Sequence, residues 1–112
     1  MLANKQYDLM SNKMKIFLDT ANCDEIKALL PTGMVDGVTT NPSLIAKSGR
    51  DIKQTIAEIC ALVDGPVSAE VTAIELSGMR EEAKVLSGLG KNVTIKVPLT
   101  HDGLILCREL SD

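Results

Sequence analysis

The sequence predicts an α/β fold in which four parallel strands alternate with helices. Short apolar runs recur along the chain, and each precedes a longer segment whose apolar residues have helical spacing. Gly, Pro and Asn residues mark turns between these elements. Strands and helices that alternate in this way form βαβ units, which place their strands in a parallel sheet. Hydrophobic residues make up 45% of the chain and aromatic residues only 2%, so we expect an aliphatic core.

The first unit begins with a predicted strand over residues 15–19. Asn22 has the character of a helix N-cap, with Glu25 three residues later, and an apolar stripe follows. Pro31 and Gly33 are expected to end this helix.

The second unit begins with a predicted strand over residues 34–39, which runs into the segment TTNPS. Pro42 excludes a regular ladder in that segment. A helix is predicted over residues 50–63, because five apolar side chains share one face. These are Ile52, Ile56, Ile59, Cys60 and Val63.

The third and fourth units repeat this pattern. Strands are predicted over residues 67–71 and 92–97, the latter as a buried strand that contains Lys96. A helix lies between them, and another is predicted over residues 102–110. The apolar stripe of the intervening helix consists of Leu76, Met79, Ala83 and Leu86.

The size of the units leaves two architectures open. A (β/α)₈ barrel takes roughly 250 residues, or about 30 per unit, and the four units here average about 24. The chain therefore has the material for half a barrel. A small open four-stranded sheet has the same periodicity, and spacing alone does not separate the two.

Composition excludes several classes of protein. The formal net charge of −3 and the near absence of aromatic residues argue against nucleic-acid binding. No apolar stretch approaches the roughly 18 residues needed to span a membrane. Three widely spaced cysteines without a CxxC pair indicate free thiols in a reducing compartment, so we expect a cytoplasmic protein. Residues 1–13 have the character of a polar extension, which leaves residues 14–112 as one domain.

Polar side chains lie at or near the predicted carboxyl ends of the strands. Alternation along the strands places Asp19, Glu70 and Lys96 on the face away from the helices. Thr39 and Asn41 leave the second strand at the corresponding place. In parallel α/β folds this edge is where ligands bind.

Structural roles are the alternative for each of these residues. Asp19 can cap a helix, Glu70 and Lys96 can form an ion pair, and Thr39 and Asn41 can serve a turn. Convergence of two acids, an amide and an amine on one edge favours a catalytic site. A lysine on an otherwise aliphatic strand indicates an amine nucleophile.

Three segments, FLDTAN, GVTTNPSLIAKSG and NVTIKVPLTHDGL, resemble the short transaldolase family, which includes fructose-6-phosphate aldolases. The similarity runs from about Met14 to the end of the chain, and the TTNPS and IKVP-x-T-x-x-G blocks are specific when found together. The resemblance implies a (β/α)₈ (TIM) barrel fold, of which this chain is the N-terminal (βα)₄ half.

The resemblance also implies a reaction and a role for each candidate residue. Lys96 would form a Schiff base with a sugar-phosphate ketone, Asp19 would be the general acid/base, and Glu70 would orient the water used in forming and hydrolysing the imine. Thr39 and Asn41 would hold substrate hydroxyls. The implied activity transfers a dihydroxyacetone unit between sugar phosphates in the pentose phosphate pathway, with no metal or cofactor.

Two alternatives to a transaldolase stay open. Glu70 favours a transaldolase, because the related aldolases carry Gln at that position and release the three-carbon unit instead of transferring it. The other alternative is a truncated noncatalytic fragment or assembly module, since the later strands and their phosphate-binding residues are missing. The open sheet edges of a half barrel also favour self-association, for example with a second copy.

Three further residues carry smaller expectations. Leu106 departs from the family pattern, which has a small residue there, and would cost stability only in a tightly packed site. His101 is expected to be an exposed loop residue. Cys107 is expected to be a small core residue on a helix face.

Overall fold

The structure, a computed structural model, describes residues 14–112, so the predicted polar extension over residues 1–13 lies outside the described residues. Four strands form one sheet in the order β1-β2-β3-β4, and every neighbouring pair is parallel. The strands are β1 Phe17–Asp19, β2 Gly37–Thr39, β3 Val67–Glu70 and β4 Val93–Lys96. The predicted (βα)₄ arrangement is confirmed, and it corresponds to half of a (β/α)₈ barrel.

Five α-helices lie between and after the strands within the described residues. They are α1 Cys23–Leu29, α2 Pro42–Ser48, α3 Ile52–Leu62, α4 Leu76–Ser87 and α5 His101–Ser111. A 3₁₀ turn, Leu30–Thr32, extends α1. No helix in the described part of the chain is both long and apolar enough to cross a membrane.

Helix α2 was not predicted from the sequence. Pro42 was interpreted only as a residue that ends a strand, yet it occupies the first turn of α2, where a missing N–H costs nothing. Asn41 caps this helix, because its side-chain oxygen accepts a hydrogen bond from the Leu44 N–H at 2.9 Å. Gly49, in the left-handed conformation at φ 69°, ends it.

The first two strands are shorter than predicted, because regular pairing begins at Phe17 and Gly37. Before that point the Asp36 N–H donates to the Ile16 carbonyl oxygen at 2.8 Å, whereas the Ile16 N–H donates to the Asp36 carboxylate at 2.7 Å. Gly37 is required here, since a Cβ would lie 2.5 Å from the Phe17 ring and 2.6 Å from the Pro66 carbonyl oxygen.

The core lies between the sheet and the helices and is aliphatic, as predicted. Leu106 of α5 is 1% exposed within it, so this position is tightly packed. The expectation for Cys107 is wrong, because its side chain is exposed on the solvent face of α5. His101 is exposed as predicted, but it begins α5 instead of lying in the preceding loop, since Thr100 is the N-cap.

The prediction that the fourth strand is buried is also wrong. Within residues 14–112, β4 pairs only with β3 and forms an edge of the sheet. Val93, Ile95 and Lys96 are therefore only half-buried, whereas Val67 and Ala69 of β3 are fully buried. An apolar sequence predicts a strand, but the number of its neighbours determines its burial.

Candidate functional site

Lys96 and Glu70 lie side by side at the carboxyl ends of β4 and β3. They are directly paired in the parallel register, and both side chains leave the face of the sheet opposite the helices. The Lys96 Nζ lies 3.9 Å from the Glu70 Oε1, and the two side chains are 37% and 34% exposed. This distance exceeds that of a hydrogen bond, so the amine is close to the carboxylate without being fixed to it.

Hydroxyl groups connect the ends of β2 and β3 next to this pair. The Thr39 Oγ1 lies 2.7 Å from the Ser68 Oγ, and the Ser68 Oγ also accepts a hydrogen bond from the Thr40 N–H at 3.1 Å. The buried Thr40 hydroxyl donates to the Ser68 carbonyl oxygen at 2.7 Å. Sequence analysis missed Ser68 as a site residue, although its position two residues before Glu70 was a usable signal.

Asn41 is only partly available for a ligand. Its side-chain oxygen accepts the capping hydrogen bond of α2, which leaves the amide nitrogen as a donor. A small cavity of about 70 Å³ is lined by Asn41, Glu70, Thr72 and Glu82, together with aliphatic side chains. The capping role explains why an Asn followed by Pro occurs here, independently of any catalytic role.

Asp19 lies on β1, at the opposite edge of the sheet from Lys96. It is directly paired with Thr39, its side chain is exposed, and the structure shows no hydrogen bond between its carboxylate and another residue of 14–112. Three strand spacings of about 4.8 Å separate β1 from β4, or roughly 14 Å along the sheet. The structure thus brings together Lys96 with Glu70 and, separately, Asp19 with Thr39.

A second cluster lies outside this face, between α1, α2 and α3. The hydrogen bond from the Arg50 guanidinium lowers the pKa of the Glu58 carboxyl. Burial raises the pKa of the Cys23 thiol, although a hydrogen bond from Arg50 Nη1 to Cys23 Sγ at 3.5 Å opposes this. These residues line a cavity of about 410 Å³ that also contains Lys47. Arg50 thereby joins Cys23 of α1 to Glu58 of α3.

Comparison with known proteins agrees with the (βα)₄ fold. The model of the family described as transaldolase/fructose-6-phosphate aldolase matches residues 16–112. A probable transaldolase of Jannaschia sp. (strain CCS1) is 62% identical over 98 residues, which cover 88% of this chain and 45% of that relative. Probable transaldolases of Sphingopyxis alaskensis and Hyphomonas neptunium are 60% and 58% identical with the same coverage. The chain thus spans about half the length of the curated relatives it matches.

Proposed function

The chain belongs to the transaldolase/fructose-6-phosphate aldolase family, and we propose that it carries the Schiff-base half of a transaldolase site, with Lys96 as the nucleophile. The observation that carries the proposal is the Lys96 Nζ at 3.9 Å from the Glu70 carboxylate, at the carboxyl edge of a parallel sheet. An amine and a carboxylate at this edge can perform imine chemistry without a metal or a cofactor.

The reaction begins when the neutral Lys96 amine attacks the C2 ketone of a sugar phosphate such as fructose 6-phosphate. The resulting carbinolamine loses water to form an iminium. Glu70, as the nearest carboxylate, orients that water and assists its proton transfers. The half-exposed amine lets substrate approach, and no hydrogen bond to Glu70 holds it at the 3.9 Å separation.

Carbon–carbon cleavage follows from the iminium. Its positive charge accepts the electron pair of the C3–C4 bond, and Asp19 takes the proton of the C4 hydroxyl, so that an aldehyde phosphate leaves. The Lys96 side chain and the substrate together span the roughly 14 Å between the β4 and β1 backbones. Thr39 and the free amide hydrogens of Asn41 hold the hydroxyls of the three-carbon unit. The enamine left on Lys96 then attacks the aldehyde carbon of an aldose phosphate, and Asp19 returns the proton to the new C4 hydroxyl. Water hydrolyses the iminium that this bond formation restores, which releases the ketose phosphate and frees the Lys96 amine.

The choice between transfer and release depends on the water at the iminium. A transferase must protect the enamine until an acceptor arrives, whereas a fructose-6-phosphate aldolase protonates it and hydrolyses the imine. We propose transfer, because Glu70 is a carboxylate and not an amide. An aldose phosphate acceptor should therefore accelerate donor consumption, whereas accumulation of free dihydroxyacetone would identify an aldolase.

Borohydride trapping tests the proposal. The chain is incubated with fructose 6-phosphate and reduced with borohydride, and its intact mass is measured. We expect the mass of one reduced three-carbon unit in the unaltered chain and none in Lys96→Ala. Lys91→Ala is the matched control, since Lys91 is an exposed lysine just before β4 and should leave the adduct unchanged. Absence of an adduct at saturating substrate would refute the proposal and support a noncatalytic module.

Self-association is a second property that the fold favours. Within residues 14–112, β1 and β4 each have one paired neighbour, and the side chain of Phe17 on β1 is exposed. Unpaired strand edges and exposed apolar residues favour pairing with a second copy. Light scattering at micromolar concentration should show an oligomer, and a monomer would contradict this.

A reducing cytoplasm suits the three free thiols, and the pentose phosphate pathway supplies sugar-phosphate substrates.

A further inference from the structure

The loop between β3 and α4, residues 71–75, is held by one carboxylate. The two oxygens of Glu82 accept hydrogen bonds from the backbone N–H of Thr72 at 2.7 Å and from that of Ala73 at 2.6 Å. The Thr72 hydroxyl donates to the same carboxylate, at 3.1 and 3.2 Å. Hydrogen bonds to an ionised acceptor are roughly twice as strong as neutral ones, so Glu82 is the main attachment of this loop.

The surrounding packing is consistent with a tightly held loop. A Cβ on Gly78 would lie 2.9 Å from the Ala73 side chain, so α4 approaches the loop as closely as a glycine permits. At the end of the loop, the Leu76 N–H donates to Asp102 of α5 at 3.1 Å. Ile74, which is 87% exposed, extends into solvent.

This loop begins at the end of the strand that carries Glu70. The Val71 N–H, next to Glu70, donates to the Lys96 carbonyl oxygen at 3.1 Å, so any shift at the start of the loop changes the spacing of the two strand ends. Glu82 and Glu70 also line the same cavity of about 70 Å³, whose remaining walls are largely aliphatic. Release of the loop would open this cavity to water directly beside Glu70.

We propose that Glu82 is a positioning residue for the Schiff-base site. By holding the Thr72 and Ala73 N–H groups, its carboxylate fixes the end of β3 and thereby sets Glu70 against Lys96. The role requires a carboxylate, because the two N–H groups use different oxygens and an amide offers only one acceptor. The effect on catalysis rests on the proposed function, whereas the effect on geometry does not.

Three variants separate this role from a general effect of charge. Glu82→Ala removes both acceptors, and Glu82→Gln keeps one. Glu81→Gln makes the same change of charge one residue away, at an exposed position on the same helix. In Glu82→Ala, we expect amide hydrogen exchange at Thr72 and Ala73 to accelerate at least about tenfold. In Glu82→Gln, one of the two amides should accelerate while the other stays protected.

Two further measurements link the loop to the site. In chain labelled with ¹³C at the glutamate carboxyl carbons, the Glu70 signal should shift in Glu82→Ala and stay in place in Glu81→Gln. The rate of borohydride trapping on Lys96 should fall at least about tenfold in Glu82→Ala and stay within about twofold in Glu81→Gln. Circular dichroism shows whether each variant is folded at the temperature of measurement.

The possible outcomes are distinct. If the unaltered chain forms no Lys96 adduct, the proposed function fails, and the exchange and ¹³C measurements still decide whether Glu82 positions Glu70. Unchanged exchange at Thr72 and Ala73 in a folded Glu82→Ala chain would overturn the positioning role. Equal shifts of the Glu70 signal in Glu82→Ala and Glu81→Gln would also overturn it, since charge alone would then explain them.

Discussion

Gly103 lies where no side chain fits, and its replacement by alanine should disrupt the end of β4. A Cβ at Gly103 would be 1.9 Å from the Pro98 carbonyl oxygen and 3.2 Å from the Thr100 hydroxyl oxygen. The Gly103 N–H also donates to that hydroxyl at 3.0 Å, so helix α5 is capped at the same point. These three residues form the P-x-T-x-x-G block, which therefore has a structural explanation independent of catalysis.

The loss of stability in Gly103→Ala depends on the atom that the new methyl group would overlap, which is the Pro98 carbonyl oxygen. Ordinary contact would require the Pro98 oxygen and the new methyl group to separate by about 1.5 Å more. Because the oxygen belongs to the backbone, no rotation of a side chain can relieve the overlap. We expect Gly103→Ala to lower the free energy of unfolding by at least about 3 kcal/mol. The displaced backbone lies two residues after Lys96, so trapping of the Schiff base should slow as well.

The assay is urea unfolding followed by circular dichroism, with Gly88→Ala as the matched control. Gly88 ends α4 in an ordinary helical conformation, and its nearest atom to a new Cβ is 3.4 Å away. Gly88→Ala should therefore raise the free energy of unfolding by about 0.4–1 kcal/mol. A Gly103→Ala chain with the urea midpoint of the unaltered protein would refute the reasoning.

Three other predictions concern stability. Asn92→Ala should cost about 1–3 kcal/mol in urea unfolding, because its amide nitrogen donates to three backbone carbonyls; no measurable cost would contradict this. Leu106→Ala should lower the free energy of unfolding by about 2–5 kcal/mol, because Leu106 is buried. Leu104 is 58% exposed, so Leu104→Ala should leave the free energy of unfolding almost unchanged, and equal losses in the two variants would refute the packing argument. The hydrogen bond from Arg50 lowers the pKa of Glu58 in the folded state. The stability that this ion pair contributes is therefore present above the pKa of Glu58 in the unfolded chain, and it is lost as the pH falls through the pKa of Glu58 in the folded chain. Unfolding midpoints measured from neutral to acidic pH should fall less in Glu58→Gln, and parallel curves would contradict this.

The fold was largely predictable because alternation and capping are local signals. The apolar stripe of α3 follows from nearest neighbours in sequence, and in the structure Ile56, Ile59 and Val63 are buried while Ile52 is exposed. Strand length and burial were not predictable in the same way. The hydrogen bond from the Ile16 N–H to the Asp36 carboxylate and the exposure of β4 depend on which segments become neighbours, and periodicity contains no such information.

The placement of Glu70 and Lys96 on one face of the sheet was predictable, but the contacts of the candidate site were not. Alternation placed Glu70 and Lys96 on one face, and the register of β3 and β4 makes them direct neighbours. The capping bond of Asn41 depends on α2, which the sequence analysis missed. The hydrogen bonds from the Thr72 and Ala73 N–H groups to Glu82 were also missed. Glu82 lies ten and nine positions after these residues, and it shares neither a strand nor a helix with them.

The central claim is that Lys96 is the nucleophile, and a peptide map of the trapped chain tests it most directly. After incubation with fructose 6-phosphate and reduction with borohydride, the chain is digested with a protease, and the mass of each lysine-containing peptide is measured by mass spectrometry. The account predicts a reduced three-carbon unit on Lys96 and unmodified peptides elsewhere. A unit found on Lys91 or another lysine, with Lys96 unmodified, would contradict it.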